Sequence, residues 1–319
     1  MQDLAVRFSG VEQVEMVSRP AGEPGAGEVR VALAYSAISP GTELATLRGK
    51  AMPLPLNPGY SASGVVEAVG PGVEDLAPGQ RVAVRAPHAA RAVVPAAQCH
   101  ALPDTLSLRE AAMYRLASIA IQGVRKVDVA LGDRVAVVGL GIIGQLAGDL
   151  AWIAGAGQVV GADPQAWRGE LALAGHFAKH APGPETLASE GFDVVIESTG
   201  VPGVVPAALE LACTRGRAVL LGSPRGVTAE VDFYRLVHRK GLTLIGAHDA
   251  VRSERDNVGP WRTEAYDGRT VVGLMADGRL NVSRFASDEM PGGEAVSAYR
   301  RLLAGDERLM TILLRWEEG

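Results

Sequence analysis

The residues best placed to do chemistry are Gly139-Leu140-Gly141-Ile142-Ile143-Gly144, a Gly-x-Gly-x-x-Gly turn. Before it runs Arg134-Val135-Ala136-Val137-Val138, a β-branched stretch that reads as a buried parallel strand. After it, Ile143, Leu146, Ala147 and Leu150 share one helical face until Gly155-Ala156-Gly157 breaks the helix. Gln158-Val159-Val160-Gly161-Ala162 forms a second strand that ends at Asp163. In this strand, turn, helix, strand, acid order each glycine has its own task. Gly139 permits a tight turn, Gly141 lets backbone approach a pyrophosphate, and Gly144 lets helix and strand pack closely. The helix start at Ile142 and Ile143 offers N–H groups and a positive dipole end to phosphate. The chemistry expected here is dinucleotide binding.

Asp163 bears on which dinucleotide. A carboxylate at this strand end accepts from both ribose hydroxyls of NAD and repels the 2′-phosphate of NADP. Arg168, a few residues on, could offset that repulsion, so NAD is expected and NADP stays open. The plainer alternative makes Asp163 a turn carboxylate before Pro164.

Positioning these groups requires α/β architecture, and the chain is long enough for two domains at 319 residues. From Val135 to about Gly246, strands alternate with helical stretches, as in a doubly wound parallel sheet. Further strands are expected at Asp193–Glu197, Arg217–Leu221 and Leu242–Ile245. Their ends carry Ser198-Thr199-Gly200, Gly222-Ser223 and Gly246-Ala247-His248. The first hundred or so residues differ: short alternating strands such as Val29–Leu33 and Val82–Val84 are separated by Pro-Gly turns, the pattern of a compact β-barrel. Ser107-Leu108-Arg109-Glu110 is a capping box opening a helix, and a hinge is expected near Leu116. The segment from Glu254 onward has amphipathic stretches at Val271–Ala276 and Gly293–Leu303 and is expected to return to the first domain. The expected division is thus a β-barrel domain over 1–115, completed by 251–319, and a dinucleotide-binding domain over 116–250.

Bulk properties exclude several partners. Apolar residues make up 47% and the net charge is −5, so large cores are possible and no basic excess drives nucleic-acid binding. No apolar run approaches the roughly 20 residues of a membrane helix. Met1-Gln2-Asp3-Leu4-Ala5 lacks the basic start and apolar core of a signal peptide. Cys99 and Cys213 do not make a disulfide framework. A cytoplasmic protein with a small-molecule substrate is expected.

Several segments together resemble the medium-chain dehydrogenase/reductase superfamily, over nearly the full length. They are Tyr35-Ser36-Ala37-Ile38-Ser39-Pro40-Gly41-Thr42-Glu43, Pro58-Gly59-Tyr60-Ser61-Ala62-Ser63-Gly64-Val65-Val66, Leu76-Ala77-Pro78-Gly79-Gln80-Arg81-Val82, Val93-Val94-Pro95-Ala96, and Gly132-Asp133-Arg134-Val135 leading into the glycines. The resemblance implies a GroES-like β-barrel domain beside a Rossmann domain, an active site in the cleft between them, and an oligomer, here a homodimer. The Ile-Ser-x-Gly-Thr-Glu variant and the tail Leu309–Trp316 resemble a branch that includes zinc-type alcohol dehydrogenases and bacteriochlorophyllide a dehydrogenases. In this family the strand-end residues Ser198, Thr199, Gly200, Gly222, Ser223, Ala247 and His248 hold the nicotinamide half of the cofactor. Arg225 could reach a phosphate or an anionic substrate, or serve as a solvated loop residue.

The departures from the family concern metal. Zinc-dependent members place a Cys where this chain has Ser39 and a His-Glu pair where it has Tyr60-Ser61. Hydroxyl and neutral phenol are poor zinc ligands. The four-cysteine lobe is missing too, the chain passing from Val84 through Pro87-His88 directly to Val93. Cys99 and His100 point to opposite faces of extended chain, and Gly175 is expected to end the helix before His176 and His180. No zinc is expected.

A zinc-free site needs another proton donor. Tyr60 is the first candidate, at a former ligand position with a phenol able to donate to a developing alkoxide, and Ser39, at the other former ligand position, joins the catalytic set. Thr42 matches the family's proton-relay hydroxyl, Glu43 the acid behind it, and His88 is the runner-up acid/base. Plainer roles exist for each: Tyr60 as a packed loop aromatic, His88 as a structural histidine, Glu43 as a turn cap. The leading expectation is a zinc-independent, NAD-preferring oxidoreductase interconverting a secondary alcohol and a ketone on a polar, sugar-like or natural-product substrate. A second is an NADPH-dependent quinone or enone reductase, and a third, of another class, is a nucleotide-binding sensor without turnover.

Overall fold

The computed structural model describes residues 3–20, 22–253, 256–305 and 308–316. The chain divides into two compact units, Met1–Leu116 with Gly268–Gly319, and Ala117–Asp267. The return to the first unit thus comes at Gly268, later than the 251 read from the sequence, because the second unit keeps the start of the helix Glu264–Ala276. No described helix is long and apolar enough to cross a membrane.

The second unit is built on a six-stranded parallel sheet. Its strands run in the spatial order Lys179–Ala181, Gln158–Ala162, Arg134–Val138, Phe192–Glu197, Ala212–Leu220, Thr243–Gly246. Strand order reverses beside Arg134–Val138, where a crevice opens at the carboxyl ends in such sheets. Val135 to Val138 and Val159 to Ala162 are buried, which explains their continuous apolar run. The fifth strand begins at Ala212 rather than Arg217; Cys213, Thr214 and Arg215 are polar or partly exposed there, so hydrophobicity did not mark them. Helix Ile142–Ala154 ends at Gly155, whose φ of 116° suits only glycine.

The first unit holds a seven-stranded sheet. One path runs Ala286–Pro291, Thr311–Arg315, Glu28–Ala37, Ala62–Val69, Arg81–Val84, Cys99–Ala101, and Arg91–Pro95 also pairs with Glu28–Ala37. The last strand, Thr311–Arg315, thereby sits beside Glu28–Ala37, with Leu313 opposite Ala37. A hairpin, Asp3–Gly10 with Gln13–Arg19, stands apart from that sheet. After Ala37 the chain turns into the short helix Pro40–Leu47, started by Pro40 with its fixed φ. Helix Ala295–Ala304 lays Ala295, Ala298, Tyr299 and Leu302 into a core with Val6, Phe8, Ile38 and Leu47. Phe8 meets Tyr299 edge to face, ring centroids 5.0 Å apart.

Gly64 lies opposite Leu33 where neighbouring strands cross so closely that a methyl group would overlap the Ala32 carbonyl. Gly64→Ala is therefore expected to destabilise the protein by about 1–3 kcal/mol, read as a lowered urea midpoint in circular dichroism. An unchanged midpoint would contradict that packing.

Candidate active site

The glycine turn shows which of its constraints come from the protein and which do not. Gly139 has φ 93°, donates to the Ala162 carbonyl (2.8 Å), and a methyl there would strike Thr199. A methyl on Gly144 would overlap the Gly139 carbonyl and approach Ser198 Oγ. These two glycines are required by packing. Gly141 is different: a methyl there meets nothing within 4 Å, so no protein atom demands its bareness. Helix Ile142–Ala154 begins at that residue with no side-chain cap, so its first turn keeps donors of the kind that bind phosphate. Open space at Gly141 and an uncapped helix start fit a pyrophosphate, and Ile142 and Ile143 supply the first-turn backbone.

Asp163 is nearly buried and tied to the loop itself. Its Oδ2 accepts from the Leu140 N–H (2.8 Å), its Oδ1 from the Gln165 N–H (2.8 Å), and Arg168 Nη1 lies 3.3 Å from Oδ2. It therefore ties down the glycine turn and the Pro164 turn, and Oδ1, with one donor against two on Oδ2, is the oxygen with accepting capacity to spare. At the neighbouring strand end Ser198 Oγ donates to the carbonyls of Gly139 (2.7 Å) and Val138 (3.0 Å). Thr199 donates through its hydroxyl and N–H to Glu197 Oε1, a carboxyl that burial pushes up in pKa. Glu197 was missed in the sequence because it reads as the last residue of an apolar strand. Gly200 has φ 67° and Gly222 N–H donates to the Glu197 carbonyl, bringing the two strand ends together. Ser223 and His248 are exposed, His248 Nδ1 accepting from the Ala250 N–H. Ala247 has both backbone groups engaged, N–H to Leu220 and carbonyl from Gln122.

In the first unit, Ser39, Thr42, Glu43, Tyr60 and His88 come together, though they come from three separate segments. Tyr60 OH donates to Ser39 Oγ at 2.5 Å. Burial, then the Glu43 charge, pushes the Tyr60 pKa up to about 12, while hydrogen bonds with Ser39 and Thr42 pull the other way. Glu43, 4% exposed, is saturated: Oε1 accepts from the Ser39 N–H (2.9 Å), and Oε2 from Tyr299 OH and His88 Nε2 (3.1 Å). Trp316 Nε1 donates to Ser36 Oγ (2.8 Å), which lies 2.7 Å from His88 Nδ1. Because the Glu43 carboxylate only accepts, His88 Nε2 carries a hydrogen toward it, and the chain of contacts runs Trp316, Ser36, His88, Glu43. His88, the expected runner-up acid/base, is fully buried with both nitrogens engaged, so it acts on Glu43 and does not face a substrate. Thr42, Glu43 and Tyr60 line a cavity of about 410 Å³ with Asn57, Arg85 and Gln98. Ser36, Tyr299 and Trp316 escaped sequence reasoning; the one available signal was a tyrosine on the apolar face of an amphipathic helix, which needs a buried partner for its hydroxyl.

These donors do not fit zinc. The position of the family's ligands holds a hydroxyl and a phenol already bonded to each other, and the nearby carboxylate and imidazole are committed elsewhere. Cys99 and His100 lie on one strand; burial pushes the thiol up to about 12 and, chiefly, the imidazole down to about 4, with His100 packed on Tyr114. His176 bonds Asp149 and stacks on Trp152, whereas His180 bonds the Asp163 carbonyl. Among the described residues no three His, Cys, Asp or Glu side chains gather to hold a metal ion.

Residues 25–110 match the family described as "Alcohol dehydrogenase GroES-like domain", and residues 143–259 match "Zinc-binding dehydrogenase". The 2-dehydro-3-deoxy-L-galactonate 5-dehydrogenase of Pseudoalteromonas atlantica is 26% identical over 339 residues, 93% of this chain and 94% of the relative. Sorbitol dehydrogenase of Homo sapiens is 26% identical over 350 residues, 95% and 93% of the two chains. A Sinorhizobium meliloti 1021 structure described as a zinc-binding dehydrogenase bound to NADP superposes with a TM-score of 0.86 at 24% identity, covering 99% of both chains. The two domain matches and the full-length relatives agree with the fold and the nucleotide cradle: the chain belongs to the medium-chain dehydrogenase/reductase superfamily, alcohol dehydrogenase-like, and is an NAD(P)-dependent dehydrogenase.

Proposed function

We propose that the protein is a zinc-independent, NAD(H)-preferring dehydrogenase that interconverts a secondary alcohol and a ketone on a polyol or sugar-like substrate. The substrate class rests on the relatives, named for sorbitol and for a deoxygalactonate. The observation that carries the reading is the hydrogen bond that Tyr60, a residue of the cavity wall, makes to the buried Ser39, at the position where the family's ligands would stand. Bound nicotinamide supplies or accepts the hydride. Tyr60 holds the proton: with its pKa near 12 the phenol stays protonated at neutral pH and donates to an oxygen gaining negative charge. At rest the phenol hydrogen lies on Ser39 Oγ; when it passes to the substrate oxygen, the Ser39 and Thr42 hydroxyls turn to donate to the phenolate left behind. Glu43, fixed by Ser39 N–H, Tyr299 and His88, orients the Ser39 loop. Asp163 supports the NAD preference, and its contact with Arg168 limits how strongly it repels a 2′-phosphate.

Tyr60→Phe is expected to lower kcat for ketone reduction by about 10²- to 10⁴-fold while leaving the NADH dissociation constant unchanged. Because the phenol pKa is raised, reduction should stay level from about pH 6 to 9 while alcohol oxidation, which needs the phenolate, climbs across the same range. A Tyr60→Phe enzyme with wild-type kcat would overturn the assignment.

The two glycine positions give a second, independent test. Gly141→Ala should leave the melting temperature intact and weaken NADH binding by about tenfold or more, whereas Gly144→Ala should lower the melting temperature first. Calorimetric titration beside thermal unfolding reads both, and NADPH binding tighter than NADH would contradict the role given to Asp163.

A further inference from the structure

The strand Thr243–Gly246 continues into Ala247-His248, one of the strand ends assigned above to the nicotinamide half of the cofactor. Side-chain packing holds this segment only at Ala247, which is buried. Gly246 has no neighbour within 4 Å of where a Cβ would stand, and His248 is exposed. Hydrogen bonds to the Ala247 backbone fix it further. The Ala247 N–H donates to the Leu220 carbonyl (3.0 Å), and the Ala247 carbonyl accepts from Gln122 Nε2 (2.5 Å). Gln122 Oε1 accepts in turn from Lys126 Nζ (2.6 Å), one helical turn further on.

Both side chains are almost fully buried, Gln122 at 2% and Lys126 at 5% exposure. An ammonium in that position is costly, and burial pulls its pKa down. The face of Trp261, 4.2 Å from Nζ, compensates in part. A methionine of similar length would fill the same space without a charge to desolvate. What methionine cannot do is orient the amide. An ammonium only donates, so Gln122 must turn Oε1 toward it and Nε2 toward Ala247. Without the cation the amide is free to invert, which would set two carbonyl oxygens against each other and push the strand end away.

We propose that Lys126 and Gln122 are positioning residues that fix the backbone of Gly246-Ala247-His248 for the nicotinamide half of the cofactor. The proposal rests on the dehydrogenase reading above and concerns binding selectivity within it. The test compares NADH with ADP-ribose, which lacks the nicotinamide, by calorimetric titration of wild type, Lys126→Met and Gln122→Met. NADH affinity should fall about tenfold in each variant while ADP-ribose stays within about twofold, since only the nicotinamide contact is disturbed. A merely structural role would move both ligands together and lower the melting temperature. Equal losses for the two ligands, or no loss, overturn the proposal; Gln122→Met keeps the test in hand if Lys126→Met does not fold. Wild-type protein that binds neither ligand would instead remove the dehydrogenase reading, and the positioning role with it.

Discussion

The first unit depends on keeping one buried carboxylate satisfied. An isolated carboxylate away from water costs several kcal/mol, and Glu43 avoids that cost only because three donors converge on it. Those donors come from distant parts of the chain: Ser39 at the helix start, His88 after a strand, and Tyr299 on the C-terminal helix. Trp316 and Ser36 hold His88 from behind. The return of the C-terminal segment to the N-terminal sheet is therefore what completes the cluster. With Glu43 and His88 committed to one another, Thr42 and the phenol of Tyr60 are the hydroxyl groups of this cluster on the cavity, and Ser39 meets Tyr60 from a buried position.

The second unit solves a separate problem, the close approach of backbone to a phosphate. Gly139 and Gly144 are dictated by the turn and by helix–strand packing, whereas Gly141 answers to no protein neighbour. Asp163 secures the loop through Leu140 and Gln165 and is itself held by Arg168. In the proposed reading loop shape and nucleotide recognition are thus carried by one side chain, and a change there would alter both.

Much of this was legible before any coordinates. The glycine turn, its flanking strands and the acid at Asp163 are local in sequence, so spacing alone located them. The capping box at Ser107 was legible for the same reason, with Ser107 Oγ accepting from the Glu110 N–H at 3.2 Å. The motif carrying Ser39, Thr42 and Glu43 could be read by resemblance, and so could Tyr60. The companions of Glu43 could not, because Tyr299 is separated from it by most of the chain and only the folded sheet brings them together. His88 was read as a group that could face a substrate; nothing in a lone histidine's sequence context announces that both ring nitrogens are taken. Gln122 and Lys126 gave no sequence signal either, since an i,i+4 Gln–Lys pair ordinarily marks a solvated helix face.

The central claim is that side chains without a metal ion deliver the proton. The most direct measurement is a single-turnover, stopped-flow oxidation of enzyme-bound NADH by a keto-sugar, using protein stripped of metal and verified by elemental analysis, in H2O and D2O. The account predicts full-amplitude NADH consumption slowed in D2O. NADH left unconsumed until zinc is restored would contradict it.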